Sequence, residues 1–286
     1  MSDPTLRVDG ADGVSIAVHD LGGSGEPLLL LHATGFCARV YEPLVAHLVR
    51  RHHVWGVDLR GHGWSSAPAN GNFDWFTSAG DVLAAVDAIG LTEVVAFGHS
   101  LGGAMVLLAE LARPGLVRAA YVFEPIVWPT GFAHPGGENP LATVARRRRE
   151  VFASRAEALE RYAARPPLGM LRADCLAAYV QHGFADLPDG TVQLRCRGES
   201  EAATFNAETR VTIDRVVAVG SQVTLAVGGR RPPPSQPGPE GGPAALAPAI
   251  VASLPGARLL EYPTLGHFGP LQDPETIATD LLAAVG

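Results

Sequence analysis

Residues 94–103 read Val94-Val95-Ala96-Phe97-Gly98-His99-Ser100-Leu101-Gly102-Gly103. The apolar, β-branched start has the character of a strand buried on both faces, which is expected over residues 93–97. Residues 101–112 have helical character and stop short of Pro114. Between the two stands the pattern G-x-S-x-G. A serine on so sharp a strand-to-helix turn has its Oγ pushed clear of the sheet, with helix N-terminal amides aimed at it. Glycines two before and two after keep Cβ atoms out of the crowded bend. The pattern alone recurs by chance in glycine-rich turns. The strand in front and the helix behind are what make Ser100 a candidate nucleophile.

The same rhythm extends in both directions. Residues 14–20, 27–32, 53–58 and 119–124 read as strands, and 77–89 as a helix closed by Gly90. Alternating strands and helices are the mark of βαβ units and a parallel sheet. From 126 to 210 the pattern changes: helical stretches at 143–164 and 173–184 dominate, and no buried strand stands out. The rhythm returns with strands at 222–227 and 258–262 and helices at 244–254 and 274–285. The expected organisation is an α/β core of residues 1–125 and 211–286, interrupted by a helical insertion over 126–210. Residues 231–243, RPPPSQPGPEGGP, read as an irregular loop.

A nucleophilic serine needs a base. His267 lies in Thr264-Leu265-Gly266-His267-Phe268-Gly269, just after the last expected strand, and two glycines flank it. An acid must then orient the imidazole. The loop after strand 222–227 would be one place for it, but it reads Gly228-Gly229-Arg230-Arg231-Pro232, and an arginine cannot accept the Nδ1–H bond. Asp214 and Glu240 lie farther off in sequence. Glu124 closes the strand that follows the serine helix. A carboxylate there is costly unless paired, and His267 would be its partner; a structural ion pair with an arginine is the alternative. For an oxyanion hole, Leu101 would supply one backbone N–H. The loop His32-Ala33-Thr34-Gly35-Phe36 would supply the other, from Thr34 or else Ala33. Phe36, His99, Trp128 and Met170 are candidate pocket residues, with ordinary packing as their plainer role. Asp58-Leu59-Arg60-Gly61-His62-Gly63 reads as a structural polar turn. No metal-type carboxylate–histidine spacing accompanies His52, His53 or His62.

Composition narrows the chemistry further. The chain has 286 residues, 47% hydrophobic and 18% charged, and all 22 basic residues are arginine. Without lysine there is no Schiff base, no lysine-anchored pyridoxal phosphate, no P-loop lysine and no Ser-Lys dyad. A net charge of −7 argues against nucleic acid as partner. The basic run 146–149 is expected to be a solvated helix face. Cys37, Cys175 and Cys196 suit neither a disulfide framework nor a zinc site. No apolar run reaches the ~18 residues of a membrane span. The N-terminal stretch lacks a signal pattern, so a cytoplasmic protein without membrane partner is expected. Nothing in the sequence speaks to oligomeric state.

The elements His32–Phe36, Asp58–Ser66, Gly98–Gly103 and Gly266–Gly269, in that order, resemble the α/β-hydrolase superfamily over residues 12–125 and 215–285. The resemblance implies a mostly parallel eight-stranded sheet flanked by helices, with 126–210 as a helical cap over the site. The order Ser then His agrees with it. Some members, lactone hydrolases and haloalkane dehalogenases among them, place the acid after strand six, a position Glu124 matches. A serine at 100 argues against dehalogenase or epoxide hydrolase chemistry, which uses a carboxylate there. The expected activity is cofactor-free, metal-free hydrolysis of a small carboxylic ester or lactone by Ser100, His267 and Glu124. C–C bond hydrolysis or amide hydrolysis would use the same triad. A binding protein on the same scaffold, without turnover, would retain the same letters.

Overall fold

A computed structural model of the protein describes residues 3–131, 138–229 and 242–286. The strands are β1 (Leu6–Asp9), β2 (Ser15–Asp20), β3 (Glu26–Leu31), β4 (His52–Val57), β5 (Val94–His99), β6 (Val117–Phe123), β7 (Val151–Phe152), β8 (Phe184–Asp186), β9 (Val192–Leu194), β10 (Gln222–Gly228) and β11 (Arg258–Tyr262). The helices are α1 (Glu42–Leu48), α2 (Trp75–Ile89), α3 (Leu101–Ala112), α4 (Pro140–Arg146), α5 (Arg155–Ala163), α6 (Ala173–His182), α7 (Gly198–Asn206), α8 (Ile213–Val216), α9 (Ala247–Ser253), α10 (Gly269–Gln272) and α11 (Pro274–Val285).

Eight strands form one sheet in the order β1-β2-β4-β3-β5-β6-β10-β11. The pairs β1–β2 and β2–β4 are antiparallel and the other five are parallel. The run Leu28-Leu29-Leu30-Leu31 shows why this sheet is central: all four side chains are fully buried. Leu29 and Leu31 pack in the layer with Val82 of α2, Leu108 of α3 and Ile250 of α9. Leu28 and Leu30 pack in the opposite layer with Leu44 of α1 and Leu281 of α11. Successive side chains point to opposite faces of a strand, so a strand covered on both faces must be apolar throughout. Each such leucine contributes roughly 1.5–3 kcal/mol of burial. The helix α3 is buried from Leu101 to Glu110, all but its last two residues, as expected of a helix that is apolar on nearly every face. Asp74 caps α2 by accepting the Thr77 amide at 2.8 Å, and Gly90 closes it at φ 80°.

The segment between β6 and β10 departs from the expected all-helical insertion. In place of one helix over 143–164 stand α4 and α5, separated by β7. Ser154 starts α5 by accepting the Glu157 amide at 3.2 Å, and Phe152 is buried beside it on extended chain. The helix at 173–184 ends at His182, and its last residue begins β8. A small antiparallel sheet, β7-β9-β8, results. Strands of two or three residues are too short to show a period in the sequence. The basic run also departs from expectation. Arg146 and Arg149 do face solvent in ion pairs with Glu199 and Glu157. Arg148 turns inward, pairs with Glu201 and donates to Tyr179 Oη at 2.6 Å.

The two ends of this segment meet. Trp128 N–H donates to the Val211 carbonyl at 3.0 Å and Ile213 N–H to the Trp128 carbonyl at 2.9 Å, a parallel bridge between Trp128 and Thr212. Phe152, Tyr179 and Phe184 belong to the same apolar cluster as Leu28 and Phe97 of the large sheet. Most of the expected 231–243 loop, with Arg230, Arg231 and Glu240, lies outside the described residues. Among the described residues no helix is long and apolar enough to cross a membrane.

Candidate active site

The site lies at the carboxyl ends of β3, β5, β6 and β11, where parallel sheets present their loops to ligands. Ser100 follows β5 at φ 56°, ψ −115°. An L-residue there costs on the order of 1–3 kcal/mol and must be held by its surroundings. The Ser100 amide donates to the Phe123 carbonyl at 2.9 Å, and its carbonyl accepts from Ile126 N–H at 3.2 Å, so β6 clamps the bend. The glycines are needed where the sequence suggested. A Cβ on Gly98 would stand 2.6 Å from the Gly102 carbonyl oxygen, and one on Gly102 would stand 2.1 Å from the Leu31 carbonyl oxygen.

Glu124 follows β6, also at positive φ (44°), with its side chain buried. Its Oε1 accepts from the Gly228 N–H at 2.9 Å, and its Oε2 lies 2.6 Å from His267 Nδ1. The carboxylate thus occupies the space beside the end of β10, where the neighbouring loop begins. Gly228 is required there, because a Cβ would stand 2.6 Å from the Gly266 carbonyl oxygen of the histidine loop. A carboxylate at Nδ1 fixes the tautomer and leaves Nε2 free to act as base. Asp214 is exposed on α8, hydrogen-bonded to Thr212. Ser100 Oγ makes no hydrogen bond among the described residues; such contacts often tighten only when substrate is bound.

The loop after β3 carries Ala33 and Thr34, the two amides expected as alternative oxyanion donors. The Ala33 N–H donates to Tyr41 Oη at 3.2 Å, while the Thr34 and Leu101 amides have no protein acceptor among the described residues. His32 accepts the Leu59 N–H on Nε2 at 2.9 Å, so its proton sits on Nδ1 and is donated to the Ala33 carbonyl at 2.8 Å. Burial, reinforced by nearby His62, depresses the His32 pKa to about 4 and keeps the ring neutral.

The candidate pocket residues separate. Phe36 joins a ring cluster with Tyr179 at 5.2 Å and Phe268 at 5.5 Å, and Phe268 lies 5.4 Å from the His267 ring. His99 does not line a pocket: it is fully buried, with both ring nitrogens engaged, by Tyr41 Oη at 2.7 Å and the His267 carbonyl at 2.7 Å. The residue before the serine lies under the turn, so its side chain points into the fold. Trp128 packs in the stalk of the inserted segment under Arg210. Met170 is exposed. Asp58 is structural: it accepts from Ala38 N–H, Trp64 N–H and His19 Nε2–H. Arg60 pairs with Asp81 and Asp12. Two residues without a sequence signal stand close to the site. Tyr41 is one. Arg148 is the other, its Nη1 and Glu201 lying 3.3 and 2.9 Å from where a Cβ on Gly35 would be.

The sequence profile of the alpha/beta hydrolase fold matches residues 26–201, more than half of the chain. The chain belongs to the alpha/beta hydrolase fold family. A non-heme haloperoxidase of Rhodococcus erythropolis is 29% identical over 97% of this alpha/beta hydrolase and 98% of its own length. The (E)-2-((N-methylformamido)methylene)succinate hydrolase of Acinetobacter baylyi is 29% identical over 36% of the chain, a match that spans only 39% of that relative. Among solved structures, an E-2-(acetamidomethylene)succinate hydrolase superposes with a TM-score of 0.78 at 22% identity, covering 99% of both chains. At that identity the likeness is one of fold.

Proposed function

We propose that this alpha/beta hydrolase cleaves a carboxylic ester or lactone through an acyl-enzyme, with Ser100 as nucleophile, His267 as base and Glu124 as the acid that orients it. The observation that carries the proposal is the 2.6 Å contact between Glu124 Oε2 and His267 Nδ1, beside a serine at φ 56° on the strand–helix turn. Ser100 Oγ attacks the carbonyl carbon as His267 Nε2 takes its proton. The N–H groups of Leu101 and Thr34 bind the oxyanion. His267 Nε2–H protonates the departing alkoxide, and water, activated in the same way, releases the acid. Residues 126–210 act as the cap on the core of 1–125 and 211–286. Phe36 and Phe268 line the acyl side.

A second reading is cleavage of an amide that carries carboxylates. The observation behind it is Arg148, whose Nη1 the inserted segment brings against Gly35, next to Thr34; a substrate carboxylate would take the place there of Glu201, its present partner. The (E)-2-((N-methylformamido)methylene)succinate hydrolase of Acinetobacter baylyi, similar over 36% of the chain, is named for a substrate of that class.

The test is hydrolysis of p-nitrophenyl acetate and butyrate by wild type beside Ser100→Ala, His267→Ala and Glu124→Ala. Loss of kcat on the order of 10³–10⁶ in the serine and histidine variants, and about 10⁴ for Glu124→Ala, is expected. An inert wild type whose Ser100 also resists a fluorophosphonate would make the protein a binder. Turnover of an N-acyl amide of a dicarboxylate that collapses in Arg148→Ala, with the simple esters unaffected, would select the second reading.

A further inference from the structure

We propose that Tyr41 and His99 are positioning residues of this reaction, joined in one buried hydrogen-bonded chain that sets the oxyanion loop and the base loop against each other. The inference rests on Ser100 and His267 acting as proposed above.

The direction of every bond in the chain follows from its ends. The His267 carbonyl can only accept, so the proton 2.7 Å from it belongs to His99 Nε2. A neutral His99 then has a bare lone pair on Nδ1. Tyr41 Oη, 2.7 Å away, must be the donor to it. With its own proton committed, Tyr41 Oη accepts the Ala33 N–H at 3.2 Å. The path thus runs from Ala33 N–H to Tyr41 O–H to His99, and from His99 Nε2–H to the His267 carbonyl. It joins residues 8, 58 and 168 positions apart in sequence. Both side chains in the chain are fully buried.

Three consequences bear on catalysis. First, the Ala33 amide is occupied, which leaves the next amide, Thr34, for the oxyanion. The peptide between them is held from its carbonyl side as well, by His32 Nδ1–H at 2.8 Å and Phe36 N–H at 3.2 Å. In a planar trans peptide the N–H points opposite to the C=O, so these bonds aim Thr34 N–H away from His32. Second, His267 is anchored twice: Glu124 holds its ring and His99 holds its main chain. Third, the His99 and His267 rings lie 5.2 Å apart. A cation on His99 would oppose the imidazolium that forms on His267 during turnover. Burial above all, and then His267 itself, keeps the His99 pKa well below the ordinary histidine value, and the bonding pattern offers no site for a second proton.

The test compares wild type with Tyr41→Phe, His99→Met and His99→Gln on p-nitrophenyl butyrate, with Ser100 labelling by a fluorophosphonate as a second readout. Tyr41→Phe retains the ring and removes one hydroxyl. His99→Gln retains an N–H for the His267 carbonyl, and His99→Met does not. Tyr41→Phe and His99→Met should lower kcat about 10- to 100-fold with KM within about twofold, as for a transition-state donor that is misplaced and not removed. Labelling should slow in parallel, and His99→Gln should recover most of the rate. Tyr41→Phe and His99→Met within threefold of wild type would overturn the proposal. So would His99→Gln no better than His99→Met, with kcat and KM moving together, because that pattern reports packing alone. A wild type that neither turns over nor labels would instead bring down the Ser100 reading itself, and this inference with it.

Discussion

At the scale of single residues, close backbone approach sets the tolerance of the site. Gly102 faces the Leu31 carbonyl oxygen at a distance no Cβ can share. Gly102→Ala should destabilise the fold by at least about 1–3 kcal/mol through overpacking and separate the serine helix from the loop after β3. Chemical denaturation checks the first effect and ester hydrolysis the second; a variant with native stability and rate would refute the close approach. Buried histidine makes a second prediction. His32 titrates near 4 when folded and near 6.5 when unfolded, so between those values the unfolded chain binds more protons. Stability therefore falls as pH drops from 6.5 towards 4, by up to about 3 kcal/mol from this residue alone. His62 and His99, also depressed by burial, act in the same direction. Urea midpoints at pH 7, 5.5 and 4.5 should decline in that order, and a flat series would contradict neutral buried rings. Ser100 and His267 were legible because their signals are local: a motif with its flanking elements, and a glycine-framed loop. Glu124 was legible as a carboxylate closing a buried strand where the alternative loop offers arginine. Tyr41 and the inward aim of His99 were not, since their partners come from distant loops and no spacing rule links them.

Elements show how the amino end of the sheet is finished, away from the site. Glu110, buried near the end of α3, accepts from Gly115 N–H at 2.9 Å and Val117 N–H at 2.8 Å. It ties the helix end to the first residue of β6, the strand that Glu124 follows. Glu110→Ala should cost about 3 kcal/mol or more, as two charge-assisted bonds of roughly 1.5–3 kcal/mol each are lost and two amides are left without acceptor. Calorimetry tests this, with KM for a small ester expected to stay near wild type; a midpoint unchanged within a degree would refute it. The strands of the large sheet were readable from their apolar runs and the helices from their caps and stops. The strands β7, β8 and β9 were not, because two or three residues hold no period, and only the burial of Phe152 and Phe184 against Tyr162 shows why the chain is extended there.

For the molecule as a whole, the cluster that runs from Leu28 and Phe97 into Phe152, Tyr179 and Phe184 makes the inserted segment and this side of the sheet share one core. A single cooperative unfolding transition is expected, with far-ultraviolet dichroism and tryptophan fluorescence coincident. Two separated transitions would mean that the inserted segment folds on its own. The bridge between Trp128 and Thr212 has a different consequence. It brings the chain back to within one strand spacing of where it left, about 4.8 Å away. With the ends already fastened to the core, doubling the length between them costs only about 0.6 kcal/mol of closure entropy. The intervening stretch is therefore closed off as a loop of its own: inserting or deleting residues within it should leave the register of the large sheet and the Glu124–His267 contact beneath it unchanged.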